Sequence, residues 1–236
     1  MCAATDKKIT FTYLSQEDLL RSGCLDFRLA TEAAEDAMLA MRRGEVMFPE
    51  TIVQIFNEET QERINCLPAT LTREQVCGMK WVSVFPPNVE RFGLQNLTAV
   101  FILSEIEKGF PTAVLEGTLI SNVRVGAMGA VAAKHLAPPE AEVIGFIGSG
   151  EQAKMHLLAM KTVRPTLREC RVSAKTSEEE LDFIGQLSPM LPDMEFVAAE
   201  TDGRKAMEGA DILVTATSAQ APLLKAAWMK PGAVSY

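Results

Sequence analysis

One short stretch limits the fold more than any other. Glu142-Val143-Ile144-Gly145-Phe146-Ile147 is an apolar run of strand length, and Gly148-Ser149-Gly150-Glu151-Gln152-Ala153 follows it as G-x-G-x-x-A. Glu151 to Thr162 then reads as a helix. The glycines alone are a weak signal. Their place in a strand–helix–strand unit of about thirty residues gives them meaning. Gly148 permits a tight turn, Gly150 lets backbone approach a pyrophosphate, and Ala153 allows helix and strand to pack closely. The helix start offers unpaired N–H groups and a positive dipole end to phosphate oxygens. A tight turn that holds no ligand is the alternative reading.

The alternation continues to the end of the chain. Glu169 to Ala174, Met194 to Ala198 and Ala210 to Thr217 read as strands, with helices at Ser177 to Leu187 and Thr201 to Glu208. Pro231 to Tyr236 opens a further strand. Continuous apolar strands between helices imply a parallel sheet covered on both faces. This predicts an α/β fold with a Rossmann-type dinucleotide-binding domain over residues 138–236.

The end of the second strand of such a domain chooses between cofactors. An acid there binds the ribose 2′-hydroxyl of NAD. Here the run is Arg171-Val172-Ser173-Ala174-Lys175-Thr176-Ser177, and the first acid is Glu178. Lys175, Thr176 and Ser177 suit a 2′-phosphate through charge and hydroxyl donors, which predicts NADP(H) in preference to NAD(H). In the competing reading Ser177 caps the next helix and Lys175 is solvated.

The first part differs. Ser15-Gln16-Glu17-Asp18 is a capping-box-like helix start. Leu29, Ala33, Ala37 and Ala40 recur at helical spacing before Arg42-Arg43-Gly44 stops the helix. Thr51 to Phe56 and Arg63 to Leu67 read as a hairpin around the polar loop Asn57 to Glu62. Gly78 to Val84, Thr98 to Leu103 and Thr112 to Leu115 are further strands, and Leu119 to Leu136 is a helix rich in small residues. The expectation is an α+β domain over residues 1–137 with a mostly antiparallel sheet, joined to the second near Pro138-Pro139.

Charge and composition exclude several functions. Twenty-three basic against thirty-one acidic residues leave a net charge of −8, the wrong field for coating nucleic acid. The most apolar long stretch, Leu119 to Ala137, carries Arg124, Lys134 and His135, so no membrane span is expected. Met1 to Lys8 lacks the apolar region of a secretory signal. Cys2, Cys24, Cys66, Cys77 and Cys170 show no C-x-x-C spacing, so free thiols in a reducing cytoplasm are expected, with neither zinc site nor disulfide framework. His135 and His156 lie in helical segments and are assigned structural or surface roles.

The sequence resembles the ornithine cyclodeaminase/μ-crystallin family. The matching runs are Gly78-Met79-Lys80-Trp81, Leu119-Ile120-Ser121-Asn122-Val123-Arg124, Ala132-Ala133-Lys134-His135-Leu136 and the glycine loop. Gly209-Ala210-Asp211-Ile212, Thr215-Ala216-Thr217 and Lys230-Pro231-Gly232-Ala233 follow in family order. The resemblance implies a first domain that forms the substrate floor and a homodimer interface. It implies an NAD(P)-binding second domain, with chemistry in the cleft between the two. A hydride would move between the nicotinamide and an amine-bearing carbon, through an imine. Lys80 matches the family's active-site lysine, Arg124 its carboxylate-binding arginine, and Thr215 to Thr217 part of its cofactor site. Both roles are chemically sound. Arginine offers a bidentate fork to a carboxylate, and a partly desolvated lysine exchanges protons with an amine or imine. Without the resemblance, both would read as surface charges.

Departures from the family pattern narrow the substrate. Relatives carry Arg or Lys in a proline-led segment before the first hairpin strand as a second carboxylate contact; here Phe48-Pro49-Glu50-Thr51-Ile52 puts Thr51 there. Ornithine cyclodeaminases place a Glu before a Leu-x-Pro-like turn to meet the side-chain amine. Here Ile64-Asn65-Cys66-Leu67-Pro68 puts Asn65 there, which lacks the charge for a cationic side chain. Relatives also continue beyond the strand at Ala233 to Tyr236 and carry an acid/base aspartate there, for which Asp193 and Asp211 are poor substitutes. The chain therefore reads as a fragment or a truncated product, short by roughly a hundred residues, with an incomplete second domain. The leading expectation is an NAD(P)-dependent amino-acid dehydrogenase or ketimine reductase acting on a small amino-acid or imine substrate. Ornithine cyclodeamination and a non-catalytic NADPH-binding, crystallin-like role are the alternatives.

Overall fold

The computed structural model describes residues 10–219 and 221–236. By contact these form two compact units: residues 10–25 with Asp36–Ser121, and Asp26–Glu35 with Asn122–Tyr236.

The first unit begins with strand β1 (Thr12–Leu14) and helix α1 (Gln16–Arg21). The capping box read from sequence is formed: the Asp18 carboxylate accepts the Ser15 N–H at 2.9 Å, and Ser15 Oγ accepts the Asp18 N–H at 3.3 Å. Helix α2 (Phe27–Arg42) precedes strands β2 (Val46–Met47), β3 (Ile52–Asn57), β4 (Glu62–Leu71) and β5 (Val76–Val84). A short helix, α3 (Asn88–Phe92), leads to β6 (Leu97–Glu105) and β7 (Pro111–Glu116). The sheet order is β1-β7-β6-β5-β4-β2, with β3 also paired to β4. All pairings are antiparallel except β1 on β7.

Sequence patterning did not anticipate β1, β2 or α3, which are too short for a period to emerge. It also ended β4 at Leu67, before Pro68, whereas the strand runs to Leu71. The register explains the tolerance. On one side β3 pairs with residues 62–66 of β4 and β2 with 70–71, so Pro68 lies in the interval between them. A proline is accepted where a strand locally becomes an edge.

Helix α4 (Thr118–Leu136) starts in the first unit and continues into the second. Its small residues let backbones meet: a Cβ on Gly126 would lie 2.6 Å from the Met155 carbonyl oxygen. This close packing places Asn122–Leu136 with the second unit, although the sequence changes character only at Pro138-Pro139. Ala127 and Val131 also bury against Ala30 and Ala34 of α2.

The second unit then alternates: β8 (Val143–Ile147), α5 (Glu151–Val163), β9 (Glu169–Ser173), α6 (Ser177–Leu187), β10 (Glu195–Ala198), α7 (Gly203–Met207), β11 (Ile212–Thr215) and β12 (Val234–Ser235). The five strands are all parallel in the order β10-β9-β8-β11-β12. Ile144, Phe146, Val172 and Ile212 to Val214 are almost completely buried, as a sheet covered on both faces requires. Helix α7 starts after the Asp202 cap, not at Thr201. The chain is thus α/β with a Rossmann-type sheet, as the alternation predicts. Among the described residues, no helix is long and apolar enough to cross a membrane.

Candidate functional site

Strand order fixes where a ligand can sit in the second unit. Chain connections diverge on either side of β8, since β9 lies on one side and β11 on the other. A crevice opens beyond the carboxyl ends of strands at such a switch point. A groove of about 950 Å³ lies there, and its walls include Gly148, Ser149, Gly150, Lys175, Ala216 and Thr217.

The glycine turn shapes the groove floor. Gly148 has φ +105° and donates its N–H to the Ser173 carbonyl at 2.8 Å. Ala216 donates to the Ile147 carbonyl at 2.9 Å, tying the end of β11 to the end of β8. Gly150 is the extended N-cap of α5, and a Cβ there would meet only open space. The first-turn N–H groups of α5 have no helical carbonyl to bond. An anion above Gly150 would find donors and room together.

Not every residue of the expected cofactor set lines the groove. Ala153 is fully buried beneath it. Gln152 donates Nε2–H to Asn122 Oδ1 at 3.0 Å, and Glu151 pairs with Lys154 at 2.8 Å. Thr215 donates its N–H and Oγ1–H to the Tyr236 carbonyl. At the end of β9, Lys175 reaches the wall, whereas Thr176 and Ser177 do not line it. The cap of α6 is Thr176, not Ser177: Thr176 Oγ1 accepts the Glu179 N–H at 3.2 Å. Its hydroxyl hydrogen remains a donor.

The wall also contains charges that the motif did not reveal. Lys154 is held by Glu151 Oε1 at 2.8 Å and Gln186 Oε1 at 2.7 Å. Glu179 accepts the Lys175 N–H at 3.2 Å, and Asp182 stands one turn further along α6. Thr176-Ser177-Glu178-Glu179 is itself a capping-type spacing, so Glu179 was open to discovery. Trp228 lines the apolar end and carries Lys225 over its ring at 5.4 Å.

In the first unit the register brings two expected substrate residues onto one sheet face. Lys80 pairs with Leu67 and Phe101, and Asn65 pairs with Val82. Side chains two apart share a face, so Asn65 and Lys80 are diagonal neighbours. The buried Asn65 Oδ1 accepts no hydrogen bond. Thr51 is exposed and immediately precedes β3, whose Val53 pairs with Asn65. Arg124 lies on α4 in the second unit, with Nη1 2.8 Å from Met128 Sδ. Asp211 accepts the N–H groups of Glu142 and Val143 and pairs with Lys230, while Asp193 pairs with Lys161. Both are spent on structural contacts. His135 bonds Glu35, and His156 Nδ1 bonds the Gln152 carbonyl, with burial holding the His156 pKa below its ordinary value. Cys24, Cys66, Cys77 and Cys170 are free thiols, and Cys2 lies outside the described residues.

Residues 17–235 match the ornithine cyclodeaminase/mu-crystallin family. The chain belongs to that family. Archaeoglobus fulgidus alanine dehydrogenase is 29% identical over 221 residues, 93% of this chain and 64% of that protein. Thermococcus litoralis Delta(1)-pyrroline-2-carboxylate reductase, solved with NADH and L-proline, superposes with a TM-score of 0.89 at 30% identity. The match covers 95% of this chain and 68% of that one. An archaeal alanine dehydrogenase dimer with bound NAD gives 0.85 at 28% identity, covering 95% of this chain and 66% of that one. The chain spans less than two thirds of the length of the curated alanine dehydrogenase it matches. Both of these solved neighbours hold NAD or NADH. The groove fits such a cofactor: the space over Gly150 is open, the α5 N-terminus offers first-turn N–H donors to an anion, and Trp228 supplies an apolar end.

Proposed function

We propose that this protein is an NAD(P)-dependent oxidoreductase of amino-acid metabolism, of amino-acid dehydrogenase or ketimine reductase type. The observation that carries the reading is the groove at the ends of β8, β9 and β11, with Gly150 open beneath it. When bound there, the nicotinamide supplies or accepts the hydride. Gly148 to Ala153 form the pyrophosphate turn, with Gly150 and the α5 N-terminus at the phosphates and Ser149 lining the wall. Ala216 and Thr217 close the far side, with Thr215 behind them bonded to Tyr236. Lys175, with the Thr176 hydroxyl and Ser177, favours a 2′-phosphate, so NADP(H) binds more tightly than NAD(H).

Substrate handling falls to Arg124 and Lys80. Arg124 holds the carboxylate of a small amino acid or imine through its planar fork. Lys80 exchanges a proton with the substrate nitrogen as the amine and imine interconvert. Asn65, with an unpaired buried amide oxygen, and Thr51 offer the substrate neutral groups, which suits one without a cationic side chain. The dehydrogenase and imine-reductase relatives support this over ornithine cyclodeamination.

In this reading residues 1–137 form the substrate and dimerisation domain, and residues 138–236 the dinucleotide domain. Strand β3 is exposed along its whole length, including Ile52, Ile55 and Phe56. An apolar surface of this kind marks an interface, here a homodimer in a reducing cytoplasm. Titrating NADPH and NADH against tryptophan emission tests the cofactor. Mixing amino acids, or keto-acid–amine pairs, with the cofactor and following dihydronicotinamide absorption tests the chemistry. Dinucleotide binding without turnover across that panel would remove the enzymatic reading.

A further inference from the structure

Among the described residues of the second unit, one acidic side chain is buried outside the glycine turn and the groove wall. Glu180, in the first turn of α6, is completely buried. Its carboxylate accepts three backbone N–H groups. Oε1 takes Ala174 at 3.1 Å and Thr201 at 2.7 Å, and Oε2 takes Glu200 at 3.1 Å. A buried carboxylate is tolerated only when its lone pairs are filled in this way.

Those three donors come from two loops. Ala174 follows β9, and Glu200 and Thr201 follow β10, the strand beside it. Both loops end on the groove: Ala174, Lys175, Thr201 and Gly203 line it. Glu200 and Thr201 have φ +55° and +62°. The left-handed region is uncommon for any side chain and an outlier for a β-branched one. Such a conformation persists only where surrounding contacts hold it, and it clusters at ligand sites. The same carboxylate therefore fixes the strained turn and the base of Lys175 in one geometry.

We propose that Glu180 is a positioning residue for the 2′ end of the cofactor groove, setting the spacing between the Ala174-Lys175 wall and the Thr201 wall. The inference rests on the dinucleotide reading given above. Glu180 touches no cofactor itself. It acts through the backbone it holds, so it shapes discrimination between NADPH and NADH as well as affinity.

The test is Glu180→Gln in the full chain, with NADPH and NADH titrated at a temperature where variant and wild type are both folded. Gln keeps one acceptor oxygen for Ala174 and Thr201 but turns a donor toward the Glu200 N–H. Losing a charge-assisted bond of this kind is expected to weaken NADPH about tenfold, and to bring the NADPH/NADH affinity ratio at least about threefold closer to one. Affinities within twofold of wild type for both ligands overturn the inference. So does an equal loss for both with an unchanged ratio, which marks a purely structural residue. Wild type that binds neither dinucleotide overturns the dinucleotide reading itself. If the variant does not fold, hydrogen exchange of the wild type decides. The Ala174, Glu200 and Thr201 amides are expected to exchange slowly before NADPH is added. Exchange as fast as that of an exposed loop overturns a prebuilt wall.

Discussion

A side-chain carbon on Gly148 would occupy space already held by the Ala216 carbonyl oxygen. Gly148 also sits at φ +105°, where side chains are strained. Two positions later, Gly150 has ordinary extended backbone and open space above it. The two glycines therefore predict opposite phenotypes. Gly148→Ala is expected to lose about 1–3 kcal/mol of stability in denaturant titration, the cost of a strained residue. Gly150→Ala is expected to stay within about 0.5 kcal/mol of wild type, as changes away from packed sites do, yet to bind NADPH about tenfold more weakly. Wild-type affinity in Gly150→Ala would show that no phosphate approaches there.

Lys175 should act on the 2′-phosphate alone. It lies at the groove wall with Glu179 and Asp182 near it, so removing its charge leaves an acidic rim. Lys175→Ala is expected to weaken NADPH by about fivefold, in line with ~1 kcal/mol for an exposed charge pair. NADH should change by less than about twofold or bind slightly better. Equal loss for the two in fluorescence titration would assign Lys175 another role.

The parallel sheet and glycine turn were legible because apolar strands and helix starts are local signals. Lys154 and Glu180 were not, because their roles come from contacts at longer range. Lys154 reaches Gln186 on another helix, and Glu180 reaches Glu200 and Thr201 across twenty residues of chain or more. Thr176 shows the limit of local reading even at short range. The sequence reading puts the cap at Ser177, and the backbone places it one residue earlier, at Thr176. The unit boundary within α4 was equally hidden, since it depends on how closely Gly126 lets Met155 approach.

Acid should weaken the start of the chain through Asp18. Hydrogen bonds from Ser15 Oγ–H and its N–H, with Arg21 alongside, hold the Asp18 carboxyl at about 2 against an ordinary 3.8. A carboxyl lowered on folding contributes fully above its unfolded value, and the contribution is lost as pH falls through the folded one. The capping box should thus be intact above about pH 4 and gone below about pH 2. Following the Ser15 amide shift by NMR should give a midpoint near 2, and Ser15→Ala should move the Asp18 midpoint upward. A Ser15 midpoint near 4 in the wild type would show that the box is not formed in solution.

Arg124 and Lys80 should separate binding from chemistry. A carboxylate held by a guanidinium contributes in ground state and transition state alike, so its loss raises KM. Arg124→Ala is expected to raise KM about a hundredfold, near the ~3 kcal/mol upper end for a charged hydrogen-bonded contact. Arg124→Lys should recover only part, because an ammonium cannot form the fork. Proton exchange at nitrogen belongs to the reaction itself, so Lys80→Ala should lower kcat about a hundredfold with little change in KM. Lys80 sits mid-sheet on β5, between Leu67 and Phe101, so thermal melting of each variant must accompany the kinetics to separate lost chemistry from lost folding. With both folded, a fall in kcat/KM of less than about threefold for either variant would remove that residue from the site.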